Sequence, residues 1–430
     1  MDCPVNQATD PKEQCARRKE MNSWHRLPQL IAYRFRLILH RQKSLACCFL
    51  LERLICPAKC LIKVRSILED RTGNGDIGDF RILVKQREIP FDVGRYGPLL
   101  DAQKVVSHHD GSVEAGELYV CKVKNARFDT RTGIICTSDN ALLVESAVDL
   151  RRLKKSSTYL DRIPHEAEIV RLPGTYSSIH GMWQQNYFHW MIESLPRLYS
   201  LKLWGKPLRL LTPHTLTPLQ RETLEACLPG NAELHFFDGV NTWLQVDEFV
   251  FPSFPVRKHF PILPLEYIEY VRNRIFGHFG LSDIPYGDKR IYVSRMKAQH
   301  SKPLNEAKVI ELLGKYGFRP FCLEDLSFED QVRLFHQASI VVAPHGAGLT
   351  NLIFAGKIKV IELLTRSIPP TFFFLSHTMS QEYFYLFPIE FEVGAIPDPY
   401  VQSSRYASLR KSNYTVNLEQ LDALMRDIDD

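Results

Sequence analysis

The stretch Ile340-Val-Val-Ala-Pro-His-Gly-Ala-Gly-Leu-Thr-Asn351 constrains this chain more than any other. An apolar strand-like run enters a turn containing Gly346 and Gly348, and helix-forming sequence follows at once. A strand that feeds directly into a helix is the unit from which parallel sheets are built. The same join leaves the first N–H groups of the helix unpaired at the positive end of its dipole, and glycine lets an anion approach the backbone closely. The spacing is not G-x-G-x-x-G, so the surroundings decide between a phosphate site and a simple tight turn.

Those surroundings repeat the pattern. Arg290 to Ser294 reads as a strand, and Asn305 stands where it can cap a helix whose Val309, Ile310, Leu313 and Tyr316 recur at helical spacing until Gly317. Phe318 to Leu323 reads as a strand, Ser327 and Asp330 as the start of a helix running to Gln337, Ile340 to Ala343 as a strand, Gly346 to Ala355 as a helix and Lys359 to Leu364 as a strand. A looser alternation precedes it: strands at Ile169 to Leu172, Leu208 to Thr212 and Glu233 to Phe236, with helices at Asn186 to Leu195, Pro218 to Cys227 and Leu265 to Phe276. The proline-rich run Phe251 to Pro264 reads as a connector between the two halves. In outline this is α/β: the first-described run reads as a doubly wound arrangement, and the looser one before it favours a parallel sheet with helices on its faces. Short β-rich runs at Leu118 to Val123, Gly133 to Thr137 and Ala141 to Glu145 add a β-rich segment, and the glycine-containing stretch Arg71 to Gly78 reads as the loop before it. The expected division is a basic extension over 1–78, a β-rich segment over 79–165, one lobe over 166–280, a second over 281–400 and a C-terminal helix over 401–430.

A chain of 430 residues is longer than one core usually supports, and its 45% hydrophobic and 24% charged residues are ordinary globular values. The charge is unevenly placed. Residues 1–66 carry 13 Lys and Arg against 5 Asp and Glu, an excess of eight in a chain whose total is +5, which leaves about −3 for the rest. Such a leader is either a solvated extension or a surface that touches anionic lipid or nucleic acid. No apolar stretch of signal-peptide length stands in the first 25 residues, and Leu45 to Leu51 stops at Glu52 and Arg53, far short of the ~20 residues a bilayer needs. The segment Tyr33 to Ile67 mixes Arg34, Arg36 and Arg41 with Phe35, Leu37 and Phe49, which suits an amphipathic helix on a membrane or packing on the body. Ten cysteines without an export signal do not read as a disulfide framework. Adjacent Cys47 and Cys48 suit buried thiols, and Cys56 and Cys60 lack the partners of a zinc site.

In a doubly wound sheet ligands gather outside the carboxyl ends of the strands, and topology puts Arg295, His345 and Glu362 there. Arg295 and Lys302 flank one strand-to-helix loop; a guanidinium can fork a phosphate and an ammonium adds a point charge, or Arg295 makes a surface salt bridge. Glu362 lies inside the hydrophobic run Val360-Ile-Glu-Leu, which is costly unless it is bonded. It can accept from the two hydroxyls of a ribose, or pair with Lys357 or Lys359. In Asn186-Tyr-Phe-His-Trp-Met-Ile-Glu-Ser-Leu-Pro-Arg-Leu198, His189 and Glu193 are four apart and share a helical face, while Pro196 kinks or ends the helix and leaves the direction of Arg197 open. That pair either removes a proton from a hydroxyl or serves as a structural hydrogen bond. Neither it nor Asp427-Ile-Asp429 makes a convincing metal site, so no metal is expected.

Four ordered pieces carry a resemblance: Asn186 to Leu198, Val293-Ser-Arg-Met-Lys, Leu326-Ser-Phe-Glu-Asp-Gln-Val-Arg-Leu-Phe, and Ala343-Pro-His-Gly-Ala-Gly-Leu-Thr-Asn followed by Val360-Ile-Glu-Leu. Across about residues 165–365 the chain resembles glycosyltransferase family 61. The resemblance implies an inverting transferase of the GT-B type, with two Rossmann-like lobes, a nucleotide-sugar donor that is usually UDP-linked, and a hydroxyl of a glycan or glycoconjugate as acceptor. By matching motif, Arg295, His345, Gly346 and Gly348 would hold the donor diphosphate and Glu362 its ribose, with Lys302, Thr350 and Asn351 as further donor-site candidates. His189 and Glu193 would face the acceptor, with Glu193 as base and His189 orienting or replacing it. The chain has Lys302-Pro-Leu-Asn-Glu306 where the family often has arginine, which keeps the charge and loses the fork. A bacterial-type, metal-independent cytoplasmic enzyme is expected, touching anionic membrane through residues 1–66 and not binding nucleic acid. The competing expectations are another nucleotide-dependent α/β enzyme, an oxidoreductase or epimerase, for which no G-x-G-x-x-G is found, and a basic nucleic-acid-binding or scaffold protein led by residues 1–66.

Overall fold

The computed structural model describes residues 53–55, 61–68, 75–90, 112–147, 169–238, 242–255, 263–282, 285–364, 371–389 and 412–429. Residues 1–52 and 56–60, with Cys47, Cys48, Cys56, Cys60 and most of the amphipathic segment, lie outside the described residues. Among the described residues no helix is long and apolar enough to cross a membrane.

The second half of the chain builds a five-stranded sheet in the spatial order Arg319–Phe321, Lys289–Val293, Ala338–Pro344, Lys359–Leu363, Glu382–Leu386, with every pair parallel. In sequence order this is 2-1-3-4-5, a doubly wound arrangement. Side chains alternate between its faces, as strand geometry requires. Ile291, Val293, Val341, Ala343 and Val360 point toward Phe328–His336, the 3₁₀ helix Ala347–Phe354 and Thr371–Thr378. Tyr292, Ile340, Val342, Ile361 and Leu363 point the other way, onto Glu306–Lys315 and the C-terminal helix Leu418–Asp429. Both faces are covered, which is why these strands read as near-continuous apolar runs.

The first half builds a mixed sheet. Its parallel part runs Trp243–Pro252, Ile169–Ser177, Leu208–Pro213, Ala232–Phe237. Leu118–Lys124 and Arg127–Asp129 add to the free edge of Trp243–Pro252 in antiparallel fashion. The β-rich segment therefore shares a sheet with the residues after 166. The long apolar core beneath this sheet, with Leu118, Val120, Leu210 and Val250, is continuous with that under the five-stranded sheet through Trp190, Leu195, Tyr267 and Phe276.

Several sequence-based boundaries need correction. An extension ending at residue 78 does not hold, because Leu61–Arg65 pairs with Leu142–Leu143, Ile77–Val84 crosses the boundary, and Glu145 accepts hydrogen bonds from Ser66 Oγ and the Ile67 amide. Trp243–Pro252 was not expected as a strand; it is the one around which the mixed sheet is organised, and its Phe251 and Pro252 overlap the supposed connector, of which 256–262 lie outside the described residues. Beyond the last strand read from the sequence, Thr371–Thr378 is a helix, and Glu382–Leu386 follows it as an edge strand. Asn305 does not cap the following helix with its side chain: its Nδ2 donates to the Val416 carbonyl and its Oδ1 accepts from the Val416 amide, at 2.8 and 2.9 Å, pinning the C-terminal segment. Ser327 does cap, accepting from the Asp330 amide, and Thr217 with Gln220 forms a reciprocal capping box at Pro218–Cys227.

Arg197 shows where the chain goes after Pro196. The proline occupies the N-cap position of a new helix, Arg197–Trp204, and the guanidinium turns inward. Its Nε and Nη2 donate to the Pro252 carbonyl at 3.0 and 2.8 Å, and it lies 3.9 Å from the centre of the Phe254 ring. Burial lowers its pKa to about 9. The free thiols of Cys136 and Cys227 are buried too, and burial pushes each up to about 12, so neither is a reactive thiolate.

The C-terminal helix is held by apolar packing more than by charge. Leu421, with no exposed surface, sits among Tyr292, Val309, Leu313 and Val416. Leu421→Ala is expected to lower stability by about 2–5 kcal/mol, read as a shift of the urea midpoint with an unchanged slope.

Candidate functional site

Parallel pairing brings the carboxyl ends of Lys289–Val293, Ala338–Pro344 and Lys359–Leu363 to one edge, so Arg295, His345 and Glu362 meet although they are far apart in the chain. Arg295 Nη1 donates to the His345 carbonyl at 2.9 Å and Nη2 to the His300 carbonyl at 3.2 Å. A guanidinium has five N–H groups, so donors remain, and the buried Nε has no protein partner. The arginine lies directly against the glycine turn: a Cβ on Gly346 would stand 2.0 Å from Nη1. Here glycine is required by the close approach of a cation to the backbone. Gly348 answers a different need, since a Cβ there would meet Leu323 Cδ1 at 2.9 Å.

The loop that carries Arg295 is anchored from behind. Glu306, buried at the start of its helix, accepts from the Arg295 amide at 2.8 Å and from the Tyr292 hydroxyl at 3.0 Å. Burial raises the Tyr292 pKa, so that hydroxyl keeps the proton it donates. Lys302 lies on the same side, its Nζ donating to the Met296 carbonyl at 3.1 Å.

Glu362 has neither a lysine partner nor a surface open to a ribose. Its side chain is 1% exposed; Oε1 lies 2.5 Å from His345 Nδ1, and Oε2 accepts from the Tyr383 hydroxyl. Lys359 instead donates to the Ile428 carbonyl. The register explains the cluster. Ala343 is opposite Glu362, which puts His345 just beyond it, and Tyr383 is diagonal to Glu362 on the same face of the next strand. With Nδ1 turned to the carboxylate, the imidazole presents Nε2 outward; the His345 side chain is 15% exposed. Phe372 covers one side of the ring, 5.4 Å between centroids.

His189 and Glu193 do sit together, but on an irregular helix. An α-turn over Tyr187–His189 widens into a π-turn over Trp190–Ser194, closed by the Leu195 amide on the Trp190 carbonyl at 2.9 Å. Such π-bulges recur at functional positions. His189 Nδ1 lies 2.8 Å from Glu193 Oε2, a close approach without the geometry of a well-formed hydrogen bond. Glu193 is 8% exposed and His189 29%. The carboxylate is thus shielded, and the imidazole is the more open of the two.

The two halves touch at this point. The Tyr187 hydroxyl donates to Asn351 Oδ1, and Asn351 Nδ2 donates to Gln331 Oε1 at 3.0 Å. Burial raises the Tyr187 pKa and keeps it a donor. Phe188 packs edge-on against Phe372, 5.9 Å between centroids, so two aromatic rings in contact, Phe188 beside His189 and Phe372 beside His345, link the two sides. Asn351, a donor-site candidate, spends its amide on this junction, and Thr350 has no exposed surface. Among the described residues no group of three or more His, Cys, Asp or Glu side chains is placed to hold a metal ion.

Tyr187, Glu306, Gln331, Phe372 and Tyr383 were given no role from the sequence. Tyr187 stands two residues before His189 and Glu306 directly after Asn305, so both were within reach of a closer reading. Tyr383 was not, because the strand that carries it was not recognised.

The family model for glycosyltransferase 61 matches residues 187–361, a span that begins at Tyr187 and ends beside Glu362. No curated protein matches the chain. Gly346→Ala is expected to move the Arg295 guanidinium and weaken binding of inorganic pyrophosphate, used as an anion probe, about 10- to 100-fold, with little change in melting temperature, since the displaced group is the far end of a flexible side chain. In an Arg295→Ala background the same substitution should cost little more; titration calorimetry on the four proteins of this cycle measures the coupling.

Proposed function

We propose, from the match of residues 187–361 to the family model for glycosyltransferase 61, that the chain is a glycosyltransferase, an inverting enzyme of GT-B type that moves a sugar from a UDP-linked donor to a hydroxyl of a glycan or glycoconjugate. The observation that carries this reading is the guanidinium of Arg295 laid across Gly346 at the start of the 347–354 helix. A guanidinium with donors to spare, set against the start of a helix that has no side-chain cap, suits a diphosphate. Lys302, from the same loop as Arg295, adds positive charge beside it.

Inversion needs one displacement at the anomeric carbon and one base. Glu193 takes the acceptor proton while His189, 2.8 Å away, orients it. The Tyr187–Asn351 bond supports this pairing of roles, because it ties the turn bearing His189 and Glu193 to the helix that starts at the proposed diphosphate site. The buried Glu362 acts through His345 and does not reach a ribose. Charge leaving with the diphosphate is met by Arg295, Lys302 and the helix amides, with no divalent ion required.

The reading is tested by titrating UDP, UDP-sugars and other nucleotide-sugars with and without a chelator. UDP should bind equally well in both conditions; a strict dependence on a divalent ion would remove the cationic clamp from the mechanism. Glu193→Gln should lower transfer by about 10²–10⁴-fold while UDP affinity stays close to wild type. An equal loss of transfer and of UDP binding would make Glu193 a structural residue.

A further inference from the structure

The acceptor-side turn and the donor-side helix are joined by hydrogen bonds whose direction is fixed from one end. The Gln331 side chain faces the carbonyls of Leu323 and Leu326, at 2.9 and 3.3 Å, and only its amide nitrogen can serve them. Its Oε1 is therefore turned to Asn351 and accepts from Nδ2 at 3.0 Å. That leaves Asn351 Oδ1 as the outer end, which only a donor can meet, and the Tyr187 hydroxyl meets it. Burial raises the pKa of that hydroxyl, so it holds its proton. Asn351 has no exposed surface, and an unmet Oδ1 there would be costly.

The ends of this relay lie at the two places that the proposed reaction must align. Tyr187 opens the irregular helix that carries His189 and Glu193. Leu323 begins the 3₁₀ turn Leu323–Asp325, just past the carboxyl end of the strand Arg319–Phe321, and a Cβ on Gly348 would meet its Cδ1 at 2.9 Å. The loop bearing Arg295 is tied to the same strand end, since the Ser294 amide donates to the Phe321 carbonyl at 2.8 Å. We propose that Tyr187 is a positioning residue: through Asn351 and Gln331 it makes the order of the turn bearing His189 and Glu193 depend on a nucleotide seated against the 323–326 loop and the start of the 347–354 helix. This rests on the donor reading made above and deepens it by naming what joins the donor to the base.

The dependence follows from how the amides are held. A nucleotide that stills the loop and the helix start also stills Gln331 and Asn351, each of which has one way round in the relay. The next member is the Tyr187 hydroxyl, and the turn behind it then opens less often. The π-turn over Trp190–Ser194 departs from regular helical bonding, which makes it a place for local opening. Misplacing a catalytic group by about 1 Å can cost about 10²-fold in rate. A relay that removes such freedom once the donor is bound readies the base when it is needed. The Phe188 and Phe372 rings also cross between the halves, but that contact has no fixed direction and survives loss of the hydroxyl.

The experiment uses the full chain and UDP, with titration calorimetry for affinity and amide hydrogen exchange, read by mass spectrometry, with and without saturating UDP. In the wild type UDP should slow exchange about fivefold or more both on the donor side, over 319–331 and 346–354, and across the junction, over 187–195. In Tyr187→Phe the slowing over 187–195 should vanish while that on the donor side stays. UDP affinity should hold within about twofold, because the turn is closed most of the time in either protein. Placing 4-aminophenylalanine at position 187, which keeps an N–H donor, should restore the slowing. Gln331→Met should abolish it with the tyrosine in place. Unchanged slowing over 187–195 in Tyr187→Phe or in Gln331→Met, or none there in a wild type that binds UDP, would overturn the proposal and leave the donor reading standing. Faster exchange throughout Tyr187→Phe, with a lowered melting temperature and a parallel loss of UDP affinity, would overturn it as a purely structural effect. A wild-type chain that does not bind UDP would remove the donor reading and this inference together.

Discussion

The hydrogen bond from Arg295 Nη1 to the His345 carbonyl is the contact on which the site depends. It joins the ends of two neighbouring parallel strands, and it can form only because Gly346 has no Cβ to hold the guanidinium away. Glu306 holds the arginine's own amide from the other side, so the loop is fixed at both backbone and side chain. A flexible residue is thereby made part of a rigid edge, with guanidinium donors to spare.

A second consequence concerns the charge behind that edge. Glu362 lies within an apolar strand, and its two oxygens are met by His345 and Tyr383 from the strands on either side. The carboxylate is therefore a link between strands as much as a charge. Removing either partner would leave an unmet buried group, which is the more expensive kind of loss. The polar cluster and the parallel register specify one another.

The two halves of the molecule meet through a small number of directed contacts laid over a shared apolar core. Tyr187, Asn351 and Gln331 form a chain of hydrogen bonds, and Phe188 and Phe372 pack beside it. The π-turn over Trp190–Ser194 widens the helix just after His189, which keeps Glu193 within 2.8 Å of the imidazole while directing Trp190 and Ile192 into the core. A regular α-helix places residues four apart on one face but has no comparable widening, and the sequence carries no separate mark for it.

Much of the five-stranded sheet was legible because its elements are short, apolar and punctuated by Gly317, Ser327, Gly346 and Gly348, which act locally. Local rules also carried the resemblance to the transferase family and picked out Arg295, His345, Glu362, His189 and Glu193. They failed where partners come from afar. Trp243–Pro252 was hidden because its place is set by strands on both sides, Asn305 because its side chain prefers Val416 to its own helix, and Glu362 because its partner is a tyrosine on a strand not recognised. The sequence by itself determined the alternating α/β order, the match of residues 187–361 to the glycosyltransferase 61 model and the residue types gathered at the strand ends. Tertiary structure alone decided which of them touch, because hydrogen bonds to a buried carboxylate or across a glycine depend on register and close approach between segments, and neither is encoded in the spacing of residues along one segment.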